Sequence, residues 1–487
     1  FIIEGEMTMT ANADAPGARL SPTARARAIL GGSAGNLVEW YDWFAYAAFT
    51  LYFAPAFFPK GDQTVQLLQA AAVFFLGFVA RPIGAWLMGL YADHAGRRAA
   101  LSASVALMCA GALIIAVTPG YAAIGLWAPT ILLFARVLQG LSVGGEYGAS
   151  ATYMSEMAGK ARRGFWSSFH YVTLIAGQLL ALGVLIVLQR LLPEDALKAW
   201  GWRVPFVIGA LLADVVFWIR RGLDESIAFK SAGPRENLSR RQVGVAGALL
   251  ALTVIAGVVG VTTGPLARPG QILGAVFLVL FFVSLIVPLV RLHPRESLLI
   301  MGLTAGGSLT FYVYTTYMQK FLVNTAGFSK GQASEISAIS LIGFLLAQPL
   351  AGWLSDKVGR KPMLIAAFGG GALSIWPIMT GISRATTVTG ALSLILTGVA
   401  IQSCYTSISA VVKAELFPAH VRALGVALPY ALANVLFGGT AEMVALAFKH
   451  EGVESAFYVY VAGVMTLGLV CSIILKDTSR HSLIHED

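Results

Sequence analysis

Two stretches of the chain repeat a single pattern of glycine, aspartate and basic residues. The first is Gly89-Leu-Tyr-Ala-Asp93-His-Ala-Gly96-Arg97-Arg98, and the second is Gly352-Trp-Leu-Ser-Asp356-Lys-Val-Gly359-Arg360-Lys361, 263 positions later. Each stretch connects two long apolar segments, so the repeat involves more than one loop. Repetition at this distance in a chain of 487 residues predicts two related halves.

The composition excludes a soluble globular protein. Of all residues, 57% are hydrophobic and only 12% are charged, about half the charged share of a typical soluble domain. Cys109, Cys404 and Cys471 lie far apart in apolar stretches and form neither a disulfide framework nor a metal-ligand pattern. His170 likewise has no second ligand-type residue at a metal-binding spacing. We therefore expect neither a metal nor a cofactor.

The apolar residues are grouped into long runs that alternate with short breaks. A run of about 18 residues or more can cross a lipid bilayer as a helix. We identify fourteen such runs, at 28–56, 65–91, 98–118, 124–147, 163–191, 201–221, 242–263, 270–291, 297–321, 332–354, 362–380, 386–411, 421–447 and 453–475. The sequence therefore predicts an all-α integral membrane protein with about fourteen transmembrane helices.

Basic residues predict the orientation of these helices, because Lys and Arg in short loops stay on the cytoplasmic side. With the amino terminus inside, 23 of the 34 basic residues fall on the cytoplasmic side and eight on the opposite side. Both termini are therefore expected in the cytoplasm. This distribution also accounts for most of the formal charge of +9, so we expect no nucleic-acid partner.

The same runs define the expected domain organisation. Residues 1–6 precede Met7 and are interpreted as a leader that is not native to the chain. The predicted segments are a cytoplasmic tail at 1–27 that includes this leader, an N-terminal six-helix half at 28–222, a cytoplasmic loop at 223–241, an extra transmembrane hairpin at 242–291, a C-terminal six-helix half at 295–476 and a cytoplasmic tail at 477–487. Because the hairpin adds two crossings, it leaves the topology of the halves unchanged.

The doubled motif predicts a conformational latch on the cytoplasmic side. Its glycines permit tight turns, and an aspartate beside basic residues can cap a helix or pair with an arginine in one conformation only. The alternative is that the basic residues merely enforce orientation. The predicted latch residues are Gly89, Asp93, Gly96, Arg97, Arg98, Asp356, Gly359, Arg360 and Lys361.

Charged residues inside the predicted helices indicate where a proton is handled. A charge at the centre of a membrane helix costs about 2.5–3.5 kcal/mol, so it needs a partner or a water-filled cavity. Asp42 and Arg136 lie at matching depths, and a carboxylate that pairs with arginine when empty and takes a proton when loaded can couple transport to protons. The alternatives are a permanent structural pair, or Glu39 or Glu146 as the proton site.

Candidate substrate contacts come from both halves. Arg81 presents a planar fork of donors that suits a carboxylate, although it could instead pair with a residue such as Glu39. Lys320 and Lys413 end two predicted helices of the second half, where a lysine can also extend towards the membrane surface. Further candidates, for which simple packing is the alternative, are Tyr314, Tyr317 and Gln178.

The doubled motif resembles the signature of the major facilitator superfamily. Asn36-Leu-Val-Glu39-Trp-Tyr-Asp42, Arg81-Pro82-Ile-Gly84 and Glu415-Leu-Phe417-Pro418 resemble motifs of its metabolite:proton symporter family. This resemblance implies the major facilitator fold, with two six-helix halves that work by alternating access. It also implies proton-coupled uptake of 2-oxoglutarate or a related dicarboxylate. The hairpin at 242–291 departs from the twelve helices that the resemblance implies.

The resemblance leaves a second cargo class open, namely a tricarboxylic or aromatic acid or a zwitterionic osmolyte. An enzyme within the membrane would need a cluster of catalytic side chains at one depth, and the sequence offers none. We therefore expect a transporter, not an enzyme. Its expected partners are the lipid bilayer, the substrate and a proton, and we expect a monomer in the inner membrane of a bacterium.

Overall fold

The computed structural model describes residues 22–95, 97–157, 160–221, 240–261, 267–418 and 422–484. Within these ranges the chain is almost entirely helical and contains no β-strand. The long apolar runs account for this, because a helix satisfies all backbone hydrogen bonds within one segment, as a lipid environment requires. The prediction of an all-α protein is confirmed.

The long helices fall into two sets separated by a pair. The first set comprises α1 (Pro22–Phe57), α2 (Gln63–Ala95), α3 (Arg97–Val117), α4 (Trp127–Met157), α5 (Arg163–Leu191) and α6 (Val204–Arg221). The pair comprises α7 (Arg240–Val261) and α8 (Ala267–Leu292). The second set comprises α9 (Pro294–Asn324), α10 (Lys330–Val358), α11 (Arg360–Ser383), α12 (Val388–Glu415), α13 (Gly425–His450) and α14 (Glu454–Ile474).

Ten helices in the described ranges are long and apolar enough to cross a membrane. They include α2, α4, α5, α8 and all six helices of the second set. The apolar stretches of α3 and α7 are shorter, at Ala103–Val117 and Gly244–Thr253. The chain is thus a multi-pass membrane protein, and the number of crossings that length and hydropathy support among these residues is ten.

The two sets pack in the same way, as the internal repeat predicts. In the first half α1 packs on α5, α2 on α4 and α3 on α6. The corresponding pairs of the second half are α9 with α13, α10 with α12 and α11 with α14. The halves meet along two seams, where α5 contacts α10 and where α2 contacts α13. This arrangement places α1 and α9 at the centre, between the halves.

The α7–α8 pair forms a hairpin beside the second seam. Its two helices pack against each other, and α8 also contacts α9 and α13. Phe281 of α8 is fully buried, and its ring meets Trp86 of α2 edge-on at 5.6 Å between centroids. The hairpin therefore lies on the second half and also contacts Trp86 of the first.

Candidate transport site

The structure brings Asp42 and Arg136 together through a third residue. Gln139 Nε2 donates a hydrogen bond to Asp42 Oδ2, and Arg136 Nη1 donates to Gln139 Oε1 at 2.7 Å. All three side chains are fully buried. The amide of Gln139 thus bridges the predicted pair, and the coupling role of the pair stays a prediction. Sequence reasoning missed Gln139, although its place one turn after Arg136 on the same face of α4 was a usable signal.

Asp42 keeps one oxygen without a partner. No hydrogen bond reaches Oδ1 from any residue that the structure describes. Arg136 is held mainly by aromatic rings, since its guanidinium carbon lies 4.1 Å from the centroid of Trp43 and 4.5 Å from that of Tyr46. Such cation–π contacts partly replace hydration of a buried cation. The site therefore holds a buried carboxylate whose second oxygen is open to a proton.

Arg81 is buried beside the same aromatic residues. Its guanidinium carbon lies 3.9 Å from the Trp43 centroid and 4.1 Å from that of Phe78. Its Nε and Nη2 atoms have no hydrogen-bond partner among the described residues. Arg81 thus carries unused donors within the protein interior, which suits an anion better than it suits a purely structural cation.

A row of polar side chains runs from Arg81 to Lys413. Tyr312 of α9 interacts with both Arg81 and Asn434, and Asn434 Nδ2 lies 3.5 Å from the Tyr430 hydroxyl. The Lys413 ammonium lies 4.3 Å from the Tyr430 ring centroid. The row connects a cation of the first half with a cation of the second. Both cations are buried, so Lys413 does not extend to the membrane surface.

Lys320 has a different environment. It is fully buried, its ammonium forms an ion pair with Glu442 of α13 at 3.0 Å, and it donates to the carbonyl of Ala47 on α1 at 3.0 Å. The expectation that it could anchor at the membrane surface is therefore wrong. Its charge is neutralised by a protein carboxylate, and it connects the halves. The cation of the second half that the polar row joins to Arg81 is Lys413.

The remaining predicted contacts lie apart from Arg81. Tyr317 donates to Glu454 at 3.1 Å within the second half, and Tyr314 packs against Gly398. Gln178 donates to the carbonyl of Thr315 at 2.7 Å and so joins the halves. It borders a cavity of about 10 Å³, which is room for about one water molecule. The halves are therefore closed on each other at the centre.

The predicted rival proton sites are only partly described. Glu39 is buried on α1, one turn before Asp42. The side chain of Glu146 lies outside the described part of the chain. The structure thus places Glu39 near the central residues, and the role of Glu146 stays a prediction.

The second copy of the doubled motif joins the halves at one face of the molecule, here called the motif face. Asp356 accepts hydrogen bonds from the backbone N–H groups of Gly164 and Phe165 at 2.8 and 2.9 Å, at the start of α5. Arg360 pairs with Asp356 at 2.9 Å. A carboxylate at a helix N-terminus is favoured by the unpaired N–H groups and by the helix dipole.

Other residues of the motif have smaller contacts or are not described. Gly359 has a φ of 97°, a conformation that glycine adopts readily, and Lys361 donates to the carbonyl of Ile473 at 2.6 Å. In the first copy, Gly96 lies outside the described residues. The description also omits the surroundings of Gly89 and the side chains of Asp93, Arg97 and Arg98. The part of the predicted latch that lies in the first copy therefore stays a prediction.

The opposite face is closed by polar contacts of α10 with the end of α5 and with Glu194, which follows α5 in the chain. Gln189 donates to Ser334 at 3.1 Å, and Lys330 pairs with Glu194 at 2.7 Å. Hydrogen bonds from Lys198 and Lys330 lower the pKa of Glu194 to about 2. Among the described residues, the halves are thus in contact at both faces and at the centre.

Known proteins match this sequence over most of its length. The family model described as "Sugar (and other) transporter" matches residues 28–487. The chain belongs to this family. It is 45% identical to the alpha-ketoglutarate permease of Escherichia coli K12, an alignment that covers 93% of this chain and 94% of the permease. It is 30% identical to the citrate-proton symporter of Klebsiella pneumoniae, with 98% of each chain covered.

Solved structures of the major facilitator superfamily share the transporter's fold. The partially occluded, inward-open xylose transporter XylE of E. coli superposes with a TM-score of 0.66 at 20% identity, covering 93% of this chain and 97% of XylE. A second XylE structure, titled as a major facilitator proton:xylose symporter, gives a TM-score of 0.68 at 18% identity, with 96% and 98% covered. The predicted membership of this superfamily is confirmed, as is the prediction of a transporter and not an enzyme.

Proposed function

We propose that this chain imports 2-oxoglutarate or a related dicarboxylate together with a proton, by alternating access. The observation that carries the proposal is the row of polar side chains that connects Arg81 of the first half to Lys413 of the second. The 45% identity to a protein named alpha-ketoglutarate permease supports this cargo.

Two buried cations from opposite halves suit a dicarboxylate. Burial of either carboxylate without a cation beside it would cost several kcal/mol, as burial of any unpaired charge does. Arg81 can bind one carboxylate through two parallel N–H groups, and Lys413 can bind the other as a point charge. Tyr312 and Tyr430 offer hydroxyl groups between them. Lys413 replaces Lys320 as the proposed second cation, because the polar row from Arg81 ends at Lys413, whereas Lys320 pairs with Glu442 outside that row.

Asp42, Gln139 and Arg136 form the proposed proton site. Asp42 Oδ1 can accept a proton while Gln139 keeps Oδ2 oriented. Arg136 stabilises the ionised form through Gln139, so neither protonation state is locked. Glu39 and Glu146 remain alternative carboxylates for this role.

The contacts at the two faces are the proposed gates. The hydrogen bond between Asp356 of α10 and the start of α5 would hold the motif face closed, and its release would let that face open. The Lys330–Glu194 pair would do the same at the opposite face. A site that alternates between two such gates is typical of transporters built from two repeats.

The topology completes the proposal. We propose fourteen crossings, with the motif face and both termini in the cytoplasm and with the domain boundaries predicted from the sequence. The hairpin at 242–291 would then add two crossings outside the halves. The transporter would act as a monomer in a bacterial inner membrane.

Uptake into proteoliposomes tests the proposed cargo. Labelled 2-oxoglutarate should accumulate in vesicles with an alkaline interior, and a protonophore should abolish the accumulation. Citrate and glycine betaine are the matched alternatives, since relatives carry these names. Accumulation of either one without competition by 2-oxoglutarate would contradict the proposed cargo, and uptake that ignores the gradient would contradict proton coupling.

A further inference from the structure

One indole contacts both of the central guanidinium groups. The guanidinium carbons of Arg81 and Arg136 lie 3.9 and 4.1 Å from the centroid of the Trp43 ring. Trp43 is fully buried, and its Nε1 has no hydrogen-bond partner among the described residues. The ring therefore interacts through its π-system with a cation of the proposed substrate site and with a cation of the proposed proton site.

Trp43 is held tightly in this position. Phe74 and Phe78 of α2 pack against it at 5.3 and 5.0 Å between ring centroids. A Cβ atom at Gly77 would lie 3.1 Å from the Trp43 ring and 3.4 Å from the carbonyl of Arg136. The glycine thus permits the close approach of α1, α2 and α4, and the indole cannot shift without moving its neighbours.

The two guanidinium groups share the Trp43 ring, the aromatic residue nearest to each of them. An aromatic face stabilises a buried cation, whereas two like charges at this range repel each other. Anything that neutralises one cation therefore strengthens the hold of the ring on the other. This relation gives a physical link between the two sites that needs no change of fold.

We propose that Trp43 is a positioning residue through which substrate binding at Arg81 promotes protonation of Asp42. The inference rests on the proposed function. When a substrate carboxylate neutralises Arg81, Trp43 stabilises Arg136 more strongly. Arg136 then depends less on the ionised Asp42 behind Gln139, so a proton is accepted more readily. By thermodynamic reciprocity, protonation of Asp42 tightens substrate binding by the same factor.

The other titratable groups around Asp42 do not supply this link. Tyr41 neighbours it on α1, Cys109 faces it from α3, and Asp214 of α6 acts on that same cysteine. From α4 the charged group is Arg136. Among the described residues, the cation that connects Asp42 to the substrate site is therefore Arg136.

The pH dependence of binding tests the inference. Titration calorimetry of 2-oxoglutarate on the purified, lipid-embedded transporter at about pH 6 and about pH 8 gives the ratio of the two affinities. We expect the wild type to bind at least about fivefold more tightly at the lower pH and to take up a proton, measured by comparing buffers of different ionisation enthalpy. The Trp43→Leu variant should bind with a smaller ratio and with less proton uptake than the wild type, because only the direct repulsion between the two guanidinium groups then links the sites.

Trp40→Leu is the matched control, because Trp40 lies 5.1 Å from the guanidinium carbon of Arg81 and has no such contact with Arg136. It should weaken binding at both pH values and keep the ratio. Trp43→Phe preserves an aromatic face, so it should fold and keep part of the ratio even if Trp43→Leu does not fold. A full wild-type ratio in Trp43→Leu would overturn the inference. Equal ratios in Trp43→Phe and the wild type, together with a lower ratio in Trp40→Leu, would also overturn it. Binding by the wild type without proton uptake would instead overturn the proposed function.

Discussion

The two buried charge pairs at the centre of the molecule differ in how they are joined. In the second half, Lys320 and Glu442 touch directly at 3.0 Å. In the first half, Gln139 separates Asp42 from Arg136 and leaves one carboxylate oxygen without a partner. A direct pair satisfies both charges in one geometry, whereas a pair bridged by an amide tolerates a change of protonation. The first arrangement suits a structural contact and the second a working site.

Breaking the direct pair should have the largest effect. Glu442→Gln leaves the buried ammonium of Lys320 uncompensated, which should lower the free energy of unfolding by about 3–5 kcal/mol. Denaturant unfolding in detergent micelles measures this loss. Glu335→Gln is the control, because the Arg190–Glu335 pair is exposed and should cost less than about 1 kcal/mol.

A double variant sharpens the same test. Lys320→Met together with Glu442→Gln removes both charges and should recover much of the stability, since no ion is then buried without a partner. Equal losses in Glu442→Gln and Glu335→Gln would show that the direct pair is not a structural contact.

Removing the proposed second substrate cation should have an intermediate effect. Lys413→Ala should weaken 2-oxoglutarate binding by more than tenfold, or about 1.4 kcal/mol, because one carboxylate loses its cation. A monocarboxylate analogue should lose less, since Arg81 can still bind it. Binding isotherms for both ligands measure the difference, with the exposed Arg190→Ala as a control. Equal losses for the two ligands would assign Lys413 to packing.

The sequence predicted the helices and the contact that Asp356 can make with a helix N-terminus better than it predicted the contacts at the central site. The doubled motif identified the two halves, because the same loop must join the same helices in each. It did not identify the partner of Lys320, because Glu442 is 122 positions away on another helix and only packing brings them together. Gln139 was missed because an uncharged amide neither titrates nor needs a counter-charge, so only the packing shows that it bridges Asp42 and Arg136.

The exposed pair at the opposite face should have the smallest effect. The pKa of Glu194 lies at about 2, below its ordinary value of 4.5. Its contacts with Lys198 and Lys330 therefore stabilise the fold above pH 4.5 and are lost as the pH falls towards 2. The difference in melting temperature between wild type and Glu194→Gln should be small and constant at neutral pH, and should vanish in acid. A melting-temperature difference that grows in acid would contradict the lowered pKa of Glu194.

The proton role of Asp42 is tested most directly by separating accumulation from exchange in one variant. Asp42→Asn keeps the size of the side chain and its place beside Gln139 but removes the titratable group. In proteoliposomes, a proton gradient should no longer drive accumulation of 2-oxoglutarate in this variant, while exchange of external for internal 2-oxoglutarate should continue, because the halves can still alternate with substrate bound. Gradient-driven accumulation at the wild-type level would contradict the account and move the proton to Glu39 or Glu146.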